Sequence, residues 1–461
     1  MILSDSEKKS SDTRIIEEQN DLNWPLPLQN QPSFGQSKHW YRRRWKIILA
    51  ITIALIITVL ILALGLHYGL QSHQSMSNLT VADGHGQSTE PTSPGKSSSA
   101  QTCSSALRDS FSSPVKWQGV NLGNWLILER WMNPTYYSFY TGISQTDEWS
   151  FCQSLGDSCG ETLENHWTSW ISSQEIEQLA LAGFNILRVP IGFWAFIAPE
   201  PWEPYHFGSQ TNQLTRILSY AKSYNMSVII DLHGLPGSQN GYEHSGHEGE
   251  INFFNSTNQA RSVDLIDAVV AYVRDSAYLN QIVAIEVANE PKLGVSKNLS
   301  VYKQYLQSAH SKITSMNAAI NRNITMMFHD GFVGASQFDS IFGPCDTVVV
   351  DYHQYFFSTG ATRSATQNAV CAAQSMSSSH LRVFYGEWSL SSNYQGDANW
   401  SKSFFETQAS IYANTTGSAF WSFKTYGADG TGQNSAWSVQ GLLEDQIIPS
   451  NSTWSYVNSF C

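Results

Sequence analysis

Eight short apolar runs, separated by longer segments with helical periodicity, occupy the C-terminal part of this 461-residue chain. Their Val and Ile residues follow one another without alternation, which is typical of strands buried on both faces, as in a parallel sheet. Eight such β/α units predict an α/β fold, a (β/α)8 TIM barrel. The runs are WQGVNL (117–122), NILRVPI (185–191), SVIIDLH (227–233), IVAIEVANE (282–290), ITMMFHD (324–330), TVVVDYHQY (347–355), RVFYGEW (382–388) and SAFWSFK (418–424).

A doubly wound open sheet is the alternative for the same alternation of elements. That fold binds dinucleotides through a G-x-G-x-x-G turn after its first strand. The corresponding turn here reads GVNLGNW and lacks this spacing. The barrel is therefore the favoured architecture.

A second feature is the uncharged stretch IILAITIALIITVLILALGL at 47–66. As a helix its twenty residues would be about 30 Å long, enough to cross a bilayer. A signal peptide is the alternative, but its apolar core is only about 7–15 residues long and lies close to the N-terminus. Lys38, Arg42, Arg43, Arg44 and Lys46 precede the stretch, and the twenty residues after it contain no Lys or Arg. We therefore expect a single-pass type II protein of the cell membrane with a cytoplasmic N-terminus.

The chain divides by composition into four zones. We expect a disordered cytoplasmic tail (1–44), a transmembrane anchor (45–70), a stalk rich in Ser, Thr, Gly and Pro (71–113) and a barrel domain (114–461). Within the anchor, residues 47–66 are expected to contact lipid. All six cysteines and all eight N-x-S/T sequons follow the apolar stretch, which fits an oxidising, extracellular location. The net charge of −12 argues against a nucleic-acid partner. We expect a monomer.

In a barrel enzyme the chemistry lies at the C-terminal ends of the strands. Two glutamates, Glu290 and Glu387, end the fourth and seventh runs. Glycoside hydrolysis needs such a pair of carboxyl groups, although a single strand-end Glu is more often a helix cap or an ion-pair partner. The other candidates at or near strand ends are Glu129, Arg188, His233, Asn289, His329, Asp330, His353, Tyr355, Trp388 and Trp421.

Aromatic and histidine side chains around these ends suggest further roles. Trp421, Tyr242 and Phe357 are candidate platforms for a sugar ring. The histidines of the glycine-rich stretch HGLPGSQNGYEHSGH (233–247) match no zinc spacing, so we expect a loop without a metal.

Six motifs, in order, resemble the fungal exo-1,3-beta-glucanases of glycoside hydrolase family 5: GVNLGNWLILERWMNP, HWTSWISSQEIEQLALAGFNILRVPIGFWAF, VIIDLHGLPGSQNGYEHSG, IEVANEP, VVVDYHQYF and YGEWS. The anchor and stalk resemble the membrane-bound members of that group. The resemblance implies a beta-glucan substrate and a retaining mechanism without metal or cofactor, with Glu290 as acid/base and Glu387 as nucleophile. It further implies a disulfide between Cys371 and Cys461, and Cys152 with Cys159 is expected to close a local loop.

The resemblance assigns the remaining candidates by position. Glu129 and Trp421 match contacts to the innermost sugar. The family residues that surround the two catalytic glutamates correspond here to Arg188, His233, Asn289, His353 and Tyr355.

Several positions depart from the family pattern. Tyr426 follows Lys424-Thr425 where the family commonly has Glu, Asn124 stands in the G-G-W motif, Tyr352 replaces a second His, and residues 427–435 form a glycine-rich insertion. These departures leave open β-1,3 against β-1,6 linkage, exo against endo action, and hydrolysis against transglycosylation. A catalytically silent glucan receptor is the alternative from a different functional class.

Overall fold

Eight parallel strands close into a barrel, in which each strand pairs with its neighbours in sequence and the first pairs with the eighth. The (β/α)8 prediction is confirmed, and the open-sheet alternative is wrong. In order, β1 to β8 are Trp117–Asn121, Ile186–Gly192, Ser227–Gly234, Ile282–Glu286, Thr325–His329, Val348–Phe356, Arg382–Ser392 and Gly417–Phe420.

The structure is a computed structural model and describes residues 116–142, 145–357, 359–373, 379–394, 396–426, 436–450 and 460–461. The predicted tail, anchor and stalk, and the insertion 427–435, lie outside these ranges. Within them no helix combines the length and apolar character needed to span a bilayer.

Ten α-helices are found in the described ranges. They are, from α1 to α10, Pro134–Tyr140, Glu148–Leu155, Cys159–Trp170, Ser173–Leu181, Gln210–Ser223, Ser256–Asp275, Ser296–Ile320, Arg363–Ala372, Ala398–Tyr412 and Val439–Glu444. A short 3-10 helix, Ala335–Phe338, takes the place of an α-helix after β5. The expected disulfides Cys152–Cys159 and Cys371–Cys461 are both formed.

The structure places Glu387 within a strand and not at its end, because β7 continues five residues further, to Ser392.

Two further strand positions differ from the sequence-based limits in ways that matter for the site. β4 ends at Glu286, four residues before Glu290. The apolar run continues through Val287 and Ala288, but the pairing with β3 and with β5 stops at Glu286. Glu290 itself has a φ of 45°, a left-handed conformation that a strand residue does not adopt. Arg188 lies in the middle of β2, not at its end, so it reaches the site from below.

Two layers of inward-facing side chains fill the barrel, because alternate residues of each strand point to the same side. The lower layer is apolar and buried, and it consists of Ile186, Ile229, Ala284, Met327, Val349, Phe384 and Ala419. Two residues further along five of these strands come Arg188, Asp231, Glu286, His329 and Asp351, all fully buried. The apolar layer thus forms a buried floor beneath a layer of charged and polar groups.

Candidate active site

Arg188 is the centre of the buried polar layer. Its guanidinium is fully buried and donates to both carboxylate oxygens of Glu286, at 2.7 and 2.9 Å. Its Nη1 lies 3.1 Å from Asp231 Oδ2, and its Nη2 lies 3.7 Å from Asp351 Oδ2. A buried cation is tolerated only when it is fully paired, and here five strands supply the partners, since Asn121 of β1 and Glu387 of β7 also accept from it.

Glu387 projects inward from β7 above this layer and is almost completely buried. One carboxylate oxygen accepts from Arg188 at 3.1 Å, and the other accepts from the hydroxyl of Tyr355 at 2.8 Å. The residue before it, Gly386, donates its backbone N–H to Asp351. A side chain at position 386 would place its Cβ 1.9 Å from Asp351 Oδ2, so only glycine allows the strand to approach this carboxylate.

Glu290 faces Glu387 across the cavity from the turn after β4. His353 Nδ1 lies 2.6 Å from Glu290 Oε1 and 3.4 Å from Glu387 Oε2, so these two oxygens are within about 6 Å of each other. His244 Nε2 lies 3.4 Å from the second oxygen of Glu290. The two glutamates of the sequence analysis therefore meet around one histidine.

The charges of these groups are interdependent. Burial disfavours the His353 imidazolium, but Glu387, Asp351 and Glu290 outweigh it and raise the pKa of His353 well above its usual value. Burial would likewise favour neutral Glu290, yet the hydrogen bond to His353 and the imidazolium charge hold the pKa of Glu290 below its usual range. Burial raises the pKa of Glu387 to about 7, against the opposing charges of His353 and Arg188. In this arrangement His353 carries a proton and Glu290 is ionised.

Asn289, His233 and Trp421 form one side of the cavity. Asn289 accepts from Arg188 at 3.0 Å, and its amide lies 3.3 Å from His233 Nε2. His233 Nδ1 is 2.7 Å from Asp231, and its ring stacks on Trp421 with centroids 5.6 Å apart. Burial lowers the pKa of His233 to about 4, so a neutral imidazole and an indole face offer a flat, uncharged wall.

Glu129 brings a third carboxyl group into the cavity. Its Oε2 accepts from Trp131 Nε1 at 2.8 Å, whereas Oε1 is buried without a hydrogen-bond partner in the described residues. Burial raises the pKa of Glu129 well above its usual value. An unpaired buried carboxyl oxygen is costly, and a hydroxyl group of a ligand would satisfy it.

The rim of the cavity is aromatic. Tyr242 and Phe357, both half exposed, line it together with Phe332, Trp131 and Trp437. The Tyr242 hydroxyl accepts from Lys292 at 2.8 Å. The cavity has a volume of about 690 Å³, and all predicted site residues except Arg188, Asn289, His329 and Trp388 line it. Arg188 and Asn289 lie beneath it in contact with Glu387 and His233.

Sequence reasoning missed the acids that hold this arrangement. Asp231, Glu286 and Asp351 each stand alone inside an apolar run, and a single acid in an otherwise apolar strand is the signal that could have identified them. His244 was assigned only to a loop, and Trp437 and Phe332 carry no local pattern that points to the site.

Two sets of described side chains have donor atoms close enough for a metal ion: Glu290, His329 and His353, and Glu286, Asp351 and His353. Both sets include His353, whose two nitrogens already face Glu290 and Asp351. Glu286 is engaged by Arg188 through both oxygens. These hydrogen bonds account for Glu286, Asp351 and His353 as parts of a charge network, whereas His329 Nε2 is buried without a hydrogen-bond partner in the described residues.

Comparisons with known proteins agree on one family. Residues 156–427 match the model of the cellulase family, glycosyl hydrolase family 5. Among similar proteins, the probable glucan 1,3-beta-glucosidase A of Aspergillus niger is 30% identical over 73% of this chain and 88% of its own length. Glucan 1,3-beta-glucosidase 1 of Schizosaccharomyces pombe is 31% identical over 75% of this chain and 91% of its own. Among solved structures, rutinosidase from Aspergillus niger has a TM-score of 0.67 and 26% identity, covering 73% of this chain and 98% of that structure.

The charge network predicts different titration behaviour for histidines a few ångströms apart. We expect His353 to stay protonated above the pH of about 6.5 at which an ordinary histidine loses its proton, because the carboxylates around it raise its pKa. His233 and His329 should be neutral at about pH 5.5, since burial lowers their pKa values to about 4 and about 3. NMR measurement of the imidazole ¹⁵N chemical shifts as a function of pH tests these two expectations. The variants His353→Gln and His233→Gln assign the signals. A His353 signal that titrates near its ordinary value would contradict the network.

Proposed function

The chain belongs to glycosyl hydrolase family 5, and on this premise we propose that it is a retaining β-glucosidase that releases glucose from the non-reducing ends of β-1,3-glucan at the cell surface. The observation that carries the proposal is the pair Glu290 and Glu387, whose facing oxygens are within about 6 Å and share His353 Nδ1. Retaining enzymes have carboxyl groups about 5–5.5 Å apart, and inverting enzymes about 6.5–9.5 Å apart. Glucan 1,3-beta-glucosidase relatives support the substrate.

In the first step Glu387 attacks the anomeric carbon while Glu290 protonates the departing oxygen. Arg188 and Tyr355 each hold one oxygen of Glu387, so the nucleophile is oriented and its charge is stabilised. In the second step Glu290 takes a proton from water, which displaces the sugar from Glu387.

The acid form of Glu290 requires a proton that its present surroundings place on His353. Transfer along the 2.6 Å hydrogen bond from Nδ1 to Glu290 supplies it and leaves a neutral imidazole beside Glu387. Positive charge that develops at the anomeric carbon then favours ionised Glu387, since opposite charges nearby lower a carboxyl pKa. His353 is thus a proton donor to the acid/base as well as a contact of the nucleophile.

Recognition of the terminal glucose is assigned to Glu129 and Trp421. The free Glu129 oxygen accepts from a sugar hydroxyl, and Trp421 supplies an apolar face for the pyranose ring. The exposed rim residues Tyr242 and Phe357 contact the sugars that follow.

Product analysis tests the substrate. We expect the purified protein to release glucose alone from 1,3-linked β-glucan, with little release from 1,6-linked β-glucan, because its relatives act on the former. Chromatography of early products, including mixtures at high sugar concentration that would reveal transglycosylation, is the measurement. Preferential action on the 1,6-linked polymer, or oligosaccharide products from the outset, would replace the proposal with a β-1,6-glucanase or an endo-acting enzyme.

Azide rescue separates the roles of the two glutamates. Glu387→Ala should abolish turnover, and added azide should yield the α-glucosyl azide by a single displacement. Glu290→Ala should lose about 10²–10⁴-fold on glucan, retain the first step on an activated aryl glucoside, and give the β-glucosyl azide. The opposite stereochemistry would reverse the roles, and wild-type activity in both folded variants would leave only the receptor alternative.

The proposed location of the protein at the cell surface rests mainly on its sequence. The uncharged stretch 47–66, with basic residues on its N-terminal side only, supports a type II anchor in the lipid bilayer. The disulfides Cys152–Cys159 and Cys371–Cys461 support an oxidising compartment. Protease added to sealed microsomes should remove residues before the anchor and spare the barrel. Digestion of the barrel instead would overturn this orientation.

A further inference from the structure

A second cavity, of about 520 Å³, lies on the other side of the segment that links β3 to α6. Tyr242, Glu243 and His244 of this segment line the active-site cavity. His247 and Asn252 of the same segment line the second cavity, and no residue of the described ranges lines both. The two cavities are therefore separate sites with one wall in common.

The second cavity has aromatic walls, of which Trp202 is the exposed member. Trp202 is 70% exposed, more than any other large apolar side chain in the described ranges. Trp149 stacks on His247 with ring centroids 4.0 Å apart and ring planes 9° apart. Tyr205 packs against Trp149 in an edge-to-face arrangement. Leaving an indole in water forgoes the free energy of its burial, and exposed aromatic groups beside a cavity mark binding surfaces.

Trp202 is held on a stiff support. Pro199, Pro201 and Pro204 flank it, and each proline ring fixes one backbone angle. The carboxylate of Glu203 accepts from the backbone N–H of Glu200 at 2.7 Å and from Arg261 at 2.6 and 2.8 Å. A platform ordered in advance loses little conformational entropy when a ligand binds.

The polar groups of the cavity fit a neutral, hydroxyl-rich ligand. Carboxylate and amide side chains border the aromatic walls: Glu200, Glu250, Asn252 and Asn258. Arg261, the one Arg or Lys that lines the cavity in the described ranges, is neutralised by Glu203 and by Glu200, 3.9 Å away. An anionic polymer would meet an excess of negative charge here, since three glutamates border the cavity and Arg261 is the one Arg or Lys among its described lining residues. Sugar hydroxyl groups can donate to these carboxylates, and sugar C–H faces can pack on the indole rings.

We propose that this cavity is a second saccharide-binding site, which holds a segment of neutral β-glucan while chain ends enter the active site. The ligand class rests on the proposed function, but the site is separate from the catalytic groups. Its effect is to raise the amount of polymer held at the enzyme without changing the chemistry.

A glycan on the protein itself is a competing source of the same chemistry. Asn255 lines the cavity, is exposed, and begins the sequon Asn255-Ser256-Thr257. Its side chain also accepts from the backbone N–H of Asn258 at 2.8 Å and caps α6. Asn255→Asp removes the glycan acceptor and keeps an N-cap residue of equal quality.

The test compares Trp202→Ala with Phe139→Ala in the full-length protein, each with and without Asn255→Asp. Phe139 is 66% exposed on α1 and lines neither cavity, so it controls for loss of an exposed aromatic ring. We expect Trp202→Ala to lower kcat/KM on soluble β-1,3-glucan about fivefold to tenfold through KM, the cost of one aromatic contact. Hydrolysis of an aryl β-glucoside and the melting temperature should not change. In a Glu387→Ala background, calorimetric affinity for the same glucan should fall similarly with Trp202→Ala.

Equal behaviour of Trp202→Ala and Phe139→Ala on the polymer would overturn the proposal. A Trp202→Ala effect seen only with Asn255→Asp would show that a glycan fills the cavity in the glycosylated protein, and would also overturn it. Failure of the wild-type protein to hydrolyse any β-glucoside would defeat the proposed function instead, and the calorimetric comparison would still decide the second site.

Discussion

A single buried guanidinium, that of Arg188, organises the centre of this barrel. It pairs with Glu286 and Asp231 and reaches Asp351, and it fixes one oxygen of Glu387. Removing one partner from such a network typically costs about 3–5 kcal/mol, because a buried charge is left unpaired. The position of the nucleophile is therefore tied to the stability of the fold, and a buried apolar layer lies below these charges.

The network holds more carboxylates than Arg188 alone can balance, and His353 supplies the second positive charge. It lies between Asp351, Glu290 and Glu387, the three groups that raise its pKa. In the proposed reaction this proton passes to Glu290. The histidine that balances the negative charge of the carboxylates before the reaction therefore also supplies the proton of the general acid. The buried charged layer therefore stabilises the fold and serves the proposed reaction through the same feature, the placement of a few protons among buried groups.

The sequence was sufficient to predict the barrel, because strands buried on both faces appear as uninterrupted apolar runs. It also indicated Glu290 and Glu387, since polar residues that end such runs meet at one face of a barrel. It misplaced the end of β4, where Val287 and Ala288 continue the apolar pattern although the strand has already ended at Glu286. The supporting acids could be recognised only with the inward register known, and His244 and Trp437 reach the site through loops whose course depends on tertiary packing.

The central claim, that Glu387 is the nucleophile held by Arg188 and Tyr355, has a direct covalent test. A 2-deoxy-2-fluoroglucosyl fluoride slows the second step more than the first, so the glycosyl-enzyme should accumulate and appear as one added sugar by intact mass spectrometry. Peptide mapping should locate that sugar on Glu387. A label on Glu290, or turnover of aryl β-glucosides to an α-configured product with no label at all, would contradict the account.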